Sequence, residues 1–376
     1  MYYGETSRRK MEKVWVTVFM RATLIFLWML MLKVDFINKN SEKESYKAEK
    51  LSTNYEENVE KDSNNTSERS IIEDASKSVV GISKLENSGI AFYADDKNLI
   101  GVGSGVLISE NGYILTNEHV AGSKYSNVYV TLENGAKYNS NVIWSDTSLD
   151  LAIIKIPGEN FNYLNLGDSD RIFLGENVYA IGNPIGAEFQ RTVTKGIISG
   201  KNRTIKIVEN DKEMYMEDLI QTDATINNGN SGGPLINDNG ELLGINTVKI
   251  SGVDGIGFSI PINIIKPLLE LLEKDGNIPE SYLGIYAFDK EVIPYLKSDL
   301  KFDKGIYVVS IDNQESLSGG NIMVGDIIEK VDGIEVNKMN ELRKIIYTKK
   351  PGELVKLEIN RNGQHIEIES KIKSKN

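Results

Sequence analysis

Between residues 71 and 261 no apolar run grows long. ASKSVVGIS, GSGVLI, GYILTN, NVYVTL, NVIWS, LAIIKI, NVYAIG, GIISG, IKIV, LLGINTV and GIGFSI follow one another, each rich in Val and Ile and each cut off by Gly, Asn or Asp. β-Branched residues pack well on a pleated surface, and the small residues between them supply turns. Crossover helices have no room in such spacing. The texture therefore excludes alternating β and α units and predicts an all-β sandwich or barrel. About a dozen strands over roughly 190 residues is more than one small barrel uses. Two barrels packed together are expected.

The pattern changes at 261. Residues 261–275 (PINIIKPLLELLEKD) have apolar positions at helical spacing and a proline start, and predict a helix. Beyond 281 come YLGIYAF, GIYVVSI, GDIIEKVDGIEV, MNELRKIIY and LVKLEINRNGQHIEIESKI. These predict a small α+β domain over 281–374. Its last two strands are joined at Asn362-Gly363, a hairpin turn signal.

At the other end, residues 14–32 read VWVTVFMRATLIFLWMLML, with Arg21 as the one charge. About 20 apolar residues span a membrane. Arg21 lies off-centre, where its side chain reaches the interface. A cleaved signal peptide with Ala22–Leu32 as its apolar part is the alternative, but no small-x-small cleavage site follows in KVDFINKNSEKES. The reading is a transmembrane anchor at 14–32. Arg8, Arg9, Lys10 and Lys13 make 1–13 a cytoplasmic tail, so the rest lies outside the cell membrane. Residues 33–70 are polar and mixed in charge and predict a disordered linker.

Composition narrows the chemistry. The net charge of −11 gives no support to nucleic-acid binding. No cysteine is present, which removes disulfides, thiolate metal sites and a cysteine nucleophile. The two histidines, His119 and His365, are too few for the common zinc sites. No metal or other cofactor is expected.

One short stretch then stands out: TINNGNSGGPLI, residues 225–236. A serine hydroxyl is a poor nucleophile unless a base takes its proton and a third group orients that base. The β region holds one histidine, His119 in YILTNEHVAG, at the end of an apolar strand. Asp150 stands at the mouth of the strand LAIIKI, where a carboxylate needs a partner. Gly229 lets the chain turn so that its N–H and that of Ser231 converge on an oxyanion. Gly232 and Gly233 leave room for a substrate strand. GNSGG also fits the G-x-S-x-G elbow of α/β hydrolases, but that elbow needs a helix after the serine and a histidine later in the chain. PLIN and ELLGINTV read as strands, and His365 lies in an exposed hairpin. The order His119, Asp150, Ser231 is that of chymotrypsin-type barrels.

LTNEHV, DLAIIKI and GNSGGPL, with GNPIG, TVTKGIIS, QTDATIN and GIGFSIP between and after them, resemble the HtrA/DegP family of serine proteases. Those are chymotrypsin-fold proteases followed by one or two PDZ domains, and the resemblance spans residues 71–374. It implies a mainly β fold, with a trypsin-like protease domain of two β-barrels over 71–276 and a PDZ domain over 281–374. It implies His119 as general base, Asp150 as its orienting acid, Ser231 as nucleophile, and Gly229 and Ser231 N–H groups as the oxyanion hole. Glu118 departs from the family, which more often has an uncharged residue there. Asn230 stands where digestive relatives carry an aspartate that pairs with a new amino terminus, so propeptide cleavage is not the expected switch.

The resemblance implies that Thr225, six residues before the nucleophile, lies at the base of the primary specificity pocket, with Ile226 beside it. Neither is negatively charged, so small or medium aliphatic side chains are the expected fit. YLGI (Tyr282–Ile285) matches the carboxylate-binding loop of PDZ domains, with Leu283, Gly284 and Ile285 meeting a peptide C-terminus and the peptide adding as a strand. QESLSGGNIM departs from the PDZ pattern. The resemblance also implies unfolded or damaged protein substrates and a homotrimer. Two rivals remain: a peptide-binding chaperone or scaffold, and a regulatory protease for one specific membrane or secreted protein. A pure binder has no need of all three catalytic groups.

Overall fold

A computed structural model describes residues 63–85, 99–124, 126–183, 192–209, 212–227, 229–249, 255–296, 300–312 and 322–374. The expected anchor at 14–32 lies outside the described residues, as does the linker up to residue 62. Among the described residues no helix is long and apolar enough to cross a membrane. Most of the QESLSGGNIM stretch is also outside them.

The Val/Ile runs form two closed barrels. The first is built from β1 (Val79–Leu85), β2 (Leu99–Leu107), β3 (Tyr113–Thr116), β4 (Asn127–Thr131), β5 (Lys137–Asp146) and β6 (Leu151–Lys155), in the order β1-β2-β3-β6-β5-β4. The second uses β7 (Asn177–Gly182), β8 (Thr192–Glu209), β9 (Lys212–Thr222), β10 (Pro234–Ile236), β11 (Leu242–Lys249) and β12 (Gly257–Pro261), in the order β10-β11-β12-β9-β8-β7. Closure removes the exposed edges that open sheets must protect. GIISG and IKIV, two runs in the sequence, belong to one long strand, β8.

Side chains alternate across a strand, so a strand buried on both faces must be apolar throughout. β6 shows this: Ile154 faces the core of its own barrel, while Ile153 joins a second core at the seam between the barrels. β3 does the same with Ile114 and Leu115. The second barrel adds Ile181, Ile245, Phe258 and Ile260 to that seam. The expected 261–275 helix is broken in two: a 3₁₀ turn at Ile262–Ile264, then a helix at Lys266–Asp275 whose Leu268 and Leu272 pack on the seam.

The last residues of the expected linker are helical. Ser63–Ser76 form a helix, α1, within the stretch expected to be disordered up to 70. Three contacts hold it: Ala75 is buried in the seam core, Ile72 packs against that core, and Glu68 pairs with Lys195 of β8.

The C-terminal domain has a sheet in the order β14-β15-β16-β18-β19, from β14 (Ile285–Phe288), β15 (Ile306–Ile311), β16 (Ile327–Val331), β18 (Leu354–Arg361) and β19 (Gln364–Lys371). β17 (Ile334–Glu335) pairs with β16, and β13 (Ser281–Tyr282) pairs with β20 (Lys373–Ser374). The β18–β19 turn has Asn362 at φ 55° and Gly363 at φ 85°, the doubly left-handed turn that an Asn-Gly pair favours. A helix at Met339–Tyr347 lays Met339, Leu342 and Ile346 on the sheet.

This domain docks on the second barrel. The Asp289 N–H donates to Glu217 Oε1 of β9 at 3.0 Å, Lys338 pairs with Asp218 at 3.2 Å, and Tyr295 donates to the Thr204 carbonyl at 2.7 Å. Glu217, Asp218 and Asp289 are all buried.

Candidate active site

Asp150 closes a tight turn, Thr147–Asp150, between β5 and β6. Its backbone is left-handed, φ 55°, and its N–H donates to the Thr147 carbonyl at 3.3 Å. The carboxylate is thereby thrown back across the strand mouth. It lies 2.8 and 2.9 Å from Nδ1 of His119 and accepts the His119 backbone N–H at 3.0 Å. Thr247 of β11 donates its hydroxyl to Asp150 Oδ2 at 2.6 Å, and Asn117 Nδ2 donates to the Asp150 carbonyl at 3.0 Å. His119 sits on a single helical turn after β3, Glu118–Ala121, with Val120 and Ala121 buried beneath it. A carboxylate at Nδ1 leaves Nε2 as the ring's proton acceptor, the tautomer a general base needs. The Asp150 side chain is 16% exposed and that of His119 52%, so the acid is sheltered and the imidazole faces the cleft.

Ser231 lies on the loop before β10, where three segments lock together. Ser104 N–H donates to the Ser231 carbonyl at 2.9 Å, and the Ser104 hydroxyl donates to the Gly229 carbonyl at 2.7 Å. Gly232 has φ 83°, and a Cβ there would stand 2.2 Å from the Ser104 carbonyl oxygen and 2.4 Å from Thr116 Oγ1. A Cβ on Gly233 would stand 2.1 Å from the Ile181 carbonyl oxygen. These two glycines therefore pack the loop between the barrels; they do not leave room for a substrate strand. Asn230 joins the loop to itself: Nδ2 donates to the Thr225 carbonyl at 2.9 Å and Oδ1 accepts from Asn227 N–H at 2.8 Å. No charge is needed for that closure.

The serine hydroxyl donates to the Thr247 carbonyl at 3.1 Å, and the Ser231 N–H donates to the Asn227 carbonyl at 3.2 Å. The Asn227 carbonyl also takes the Asn230 N–H at 2.9 Å. Ser231 N–H is thus engaged within the loop, and Asn228 lies outside the described residues. Of the expected pocket residues, Ile226 is buried and lines the cleft, packed against Gly257 of β12. Thr225 does not line it. Its carbonyl turns inward to Asn230 and Thr194, which leaves its side chain exposed.

A cleft of about 1430 Å³ runs between the barrels and the C-terminal domain. His119, Asp150 and Ser231 line one wall, Leu283, Ile285 and Leu342 the other. Gly284 is left-handed, φ 75°, and its carbonyl accepts from Asp312. Glu118 lines the cleft too. Burial, helped by the Asp150 charge, raises its carboxyl pKa against the pull of Lys84 and His119. His365 is far from this in β19, its Nδ1 paired with Glu329 at 2.9 Å.

Three contributors escape the sequence. Thr247 and Asn117 hold Asp150, yet Thr247 carries no motif and Asn117, inside LTNEHV, shows no sign of that role. Asp146, at the end of β5, accepts the N–H and hydroxyl of Ser148 at 2.9 and 2.6 Å and the Leu149 N–H at 3.2 Å, all through Oδ1. A buried aspartate four residues before Asp150, in SDTSLD, is the available signal for that turn.

Closed antiparallel barrels that meet at an aspartate-bound imidazole and a glycine-flanked serine are the mark of a chymotrypsin-like serine endopeptidase, here followed by a PDZ domain. Residues 103–245 match the trypsin-like peptidase domain family and residues 274–372 the PDZ domain family. Serine protease Do-like HtrA of Bacillus subtilis (strain 168) is 38% identical over 324 residues, covering 81% of this chain and 71% of that protein. A probable periplasmic serine endoprotease, DegP-like, of Chlamydia trachomatis serovar D is 39% identical over 272 residues, 71% of this chain and 52% of that longer protein. Among solved structures, the HtrA-type protease AlgW with tripeptide is 30% identical with a TM-score of 0.60, covering 82% of this chain and 97% of that one. The serine endoprotease from Yersinia pestis is also 30% identical, with a TM-score of 0.56 and coverage of 82% and 98%. The chain belongs to the HtrA/DegP family of serine proteases.

Proposed function

We propose that this protein is a membrane-anchored endopeptidase that works outside the cytoplasmic membrane on unfolded or damaged proteins. His119 is its general base, Asp150 the group that orients it, and Ser231 the nucleophile. The observation that carries this reading is the Asp150 carboxylate bound to Nδ1 of His119 in the cleft that also holds Ser231. For attack, the Ser231 hydroxyl leaves the Thr247 carbonyl for His119 Nε2, which takes its proton. His119 then returns a proton to the leaving amine. The Gly229 and Ser231 N–H groups serve as the oxyanion hole once the Asn227 carbonyl turns away from Ser231. Ordering of that loop by ligand or assembly is the control this arrangement invites.

Peptide C-termini bind at Leu283, Gly284 and Ile285, where β14 offers an edge to an added strand. The related HtrA-type protease AlgW, solved with a tripeptide and with a decapeptide, supports peptide binding. Cleavage follows small or medium aliphatic residues, with Ile226 in the pocket wall. The apolar segment 14–32 behind four basic residues supports the anchor, and the periplasmic relatives support an extracytoplasmic site. A homotrimer is the assembly the family implies. The test is digestion of casein by the wild type against Ser231→Ala and His119→Ala. Folded variants without activity support the assignment. Turnover at the wild-type rate by pure, folded Ser231→Ala ends it.

A further inference from the structure

The turn that presents Asp150 is gripped at its far end by the other domain. Tyr347 is the last residue of the Met339–Tyr347 helix in the C-terminal domain, yet it is buried in the core at the barrel seam, beside Trp144 and Leu149. Its ring meets Trp144 edge-on, centroids 6.1 Å apart at 81°. Its hydroxyl donates to Asp146 Oδ2 at 2.8 Å.

We propose that Tyr347 is a positioning residue for catalysis: by holding Asp146, it fixes the Thr147–Asp150 turn and so the aim of the Asp150 carboxylate at His119. This rests on the roles proposed above for His119, Asp150 and Ser231. The path is continuous. Tyr347 binds Oδ2 of Asp146, and Oδ1 of Asp146 binds Ser148 N–H, Ser148 hydroxyl and Leu149 N–H. The turn then ends at Asp150, which meets His119 through both backbone N–H and Nδ1. An aspartate at φ 55° is a conformation that persists only where its surroundings over-determine it. Asn117 secures the Asp150 end and Tyr347 the Asp146 end. Burial and the Asp146 charge hold the Tyr347 phenol well above its usual pKa, so it remains a donor wherever a serine protease works.

The variant is Tyr347→Phe in the full chain, which keeps the ring against Trp144 and removes only the hydroxyl. Turnover is measured on an internally quenched peptide with an amidated C-terminus, at a temperature well below melting. A misplacement on the order of 1 Å costs about 10²-fold, and a loosened turn a fraction of that. The expected result is a kcat lower by about tenfold with KM within about twofold. The rate of Ser231 labelling by a fluorophosphonate falls in step. Asp146→Asn combined with Tyr347→Phe loses no more than Asp146→Asn alone, because the two act on one path. A lowered melting temperature with unchanged kcat, a raised kcat, or additive losses in the double variant overturns the proposal. If the wild type takes no fluorophosphonate and Ser231→Ala still turns over, the serine reading itself falls and this proposal with it.

Discussion

Glu217 sits where β9 meets the C-terminal domain, 7% exposed, with its Oε1 on the Asp289 N–H. Asp289, Asp218, Arg343 and Tyr286 are its charged and titratable neighbours, and Lys338 pairs with Asp218. Burial first, then the Asp289 charge, pushes the Glu217 carboxyl up to about 8 from 4.5. Below about pH 4.5 the group is protonated both folded and unfolded, and its contribution to stability is fully present. Between there and about pH 8 the unfolded chain releases the proton while the folded one keeps it. Stability then falls with rising pH by about 1.4 kcal/mol per unit, at most about 5 kcal/mol in all. Above about pH 8 both states are ionised and the loss is complete. Glu217→Gln keeps an oxygen for the Asp289 N–H and removes the titration. Urea unfolding of wild type and variant at pH 5, 6, 7 and 8 isolates the difference, because Asp218 and Asp289, also raised by burial, remain in both. The wild type should lose about 1 kcal/mol per pH unit relative to the variant, about 2–4 °C in melting temperature. Parallel slopes, or a wild type that gains on the variant as pH rises, would refute the reasoning.

Asp150→Asn should leave the fold intact and lower kcat by about 10⁴, the loss known for the same change in the serine-protease template, because Asn favours the wrong imidazole tautomer; steady-state kinetics decide it. Thr247→Val removes a 2.6 Å bond to the Asp150 carboxylate, and kcat/KM should drop by about ten- to a hundredfold, as for a hydrogen bond of about 1.5–3 kcal/mol to a charged group. Gly232→Ala puts a Cβ 2.2 Å from the Ser104 carbonyl oxygen at positive φ, so soluble yield and melting temperature should collapse; a melt within a degree of wild type would contradict the packing. A peptide with a free apolar C-terminus should bind the groove at Leu283–Ile285, and its amidated form should bind at least about tenfold more weakly by calorimetry.

The barrels were legible because their strands are buried on one or both faces and so had to be Val/Ile-rich. β9 is less so. It carries Glu213, Glu217 and Asp218, and the last two are polar residues covered by another domain, a tertiary fact with no local sign. His119, Asp150 and Ser231 could be named because the chain has only two histidines and each of the three falls at a strand or turn boundary. The exposure of the Thr225 side chain was not legible, because position along the loop says nothing of which way it turns once Asn230 captures the Thr225 carbonyl. Tyr347 was hidden for a different reason. Met339, Leu342 and Ile346 already account for the helix's own apolar face, and the partner of Tyr347 lies 201 residues earlier. The helix over Ser63–Ser76 was not legible in its polar half, because the contacts of Glu68, Ile72 and Ala75 that hold it are tertiary.

β13 and β20 pair Ser281 with Ser374 and Tyr282 with Lys373. The chain thus enters and leaves its C-terminal domain at one seam, and the domain is topologically a loop closed by two short strands. Such a module can be opened at another loop and rejoined at this seam without rethreading a strand. The Leu283–Ile285 loop begins at the same seam, one residue beyond Tyr282. Its shape is therefore set jointly by the first and last strands of the module, and loosening either one would reach this loop before it reached the sheet.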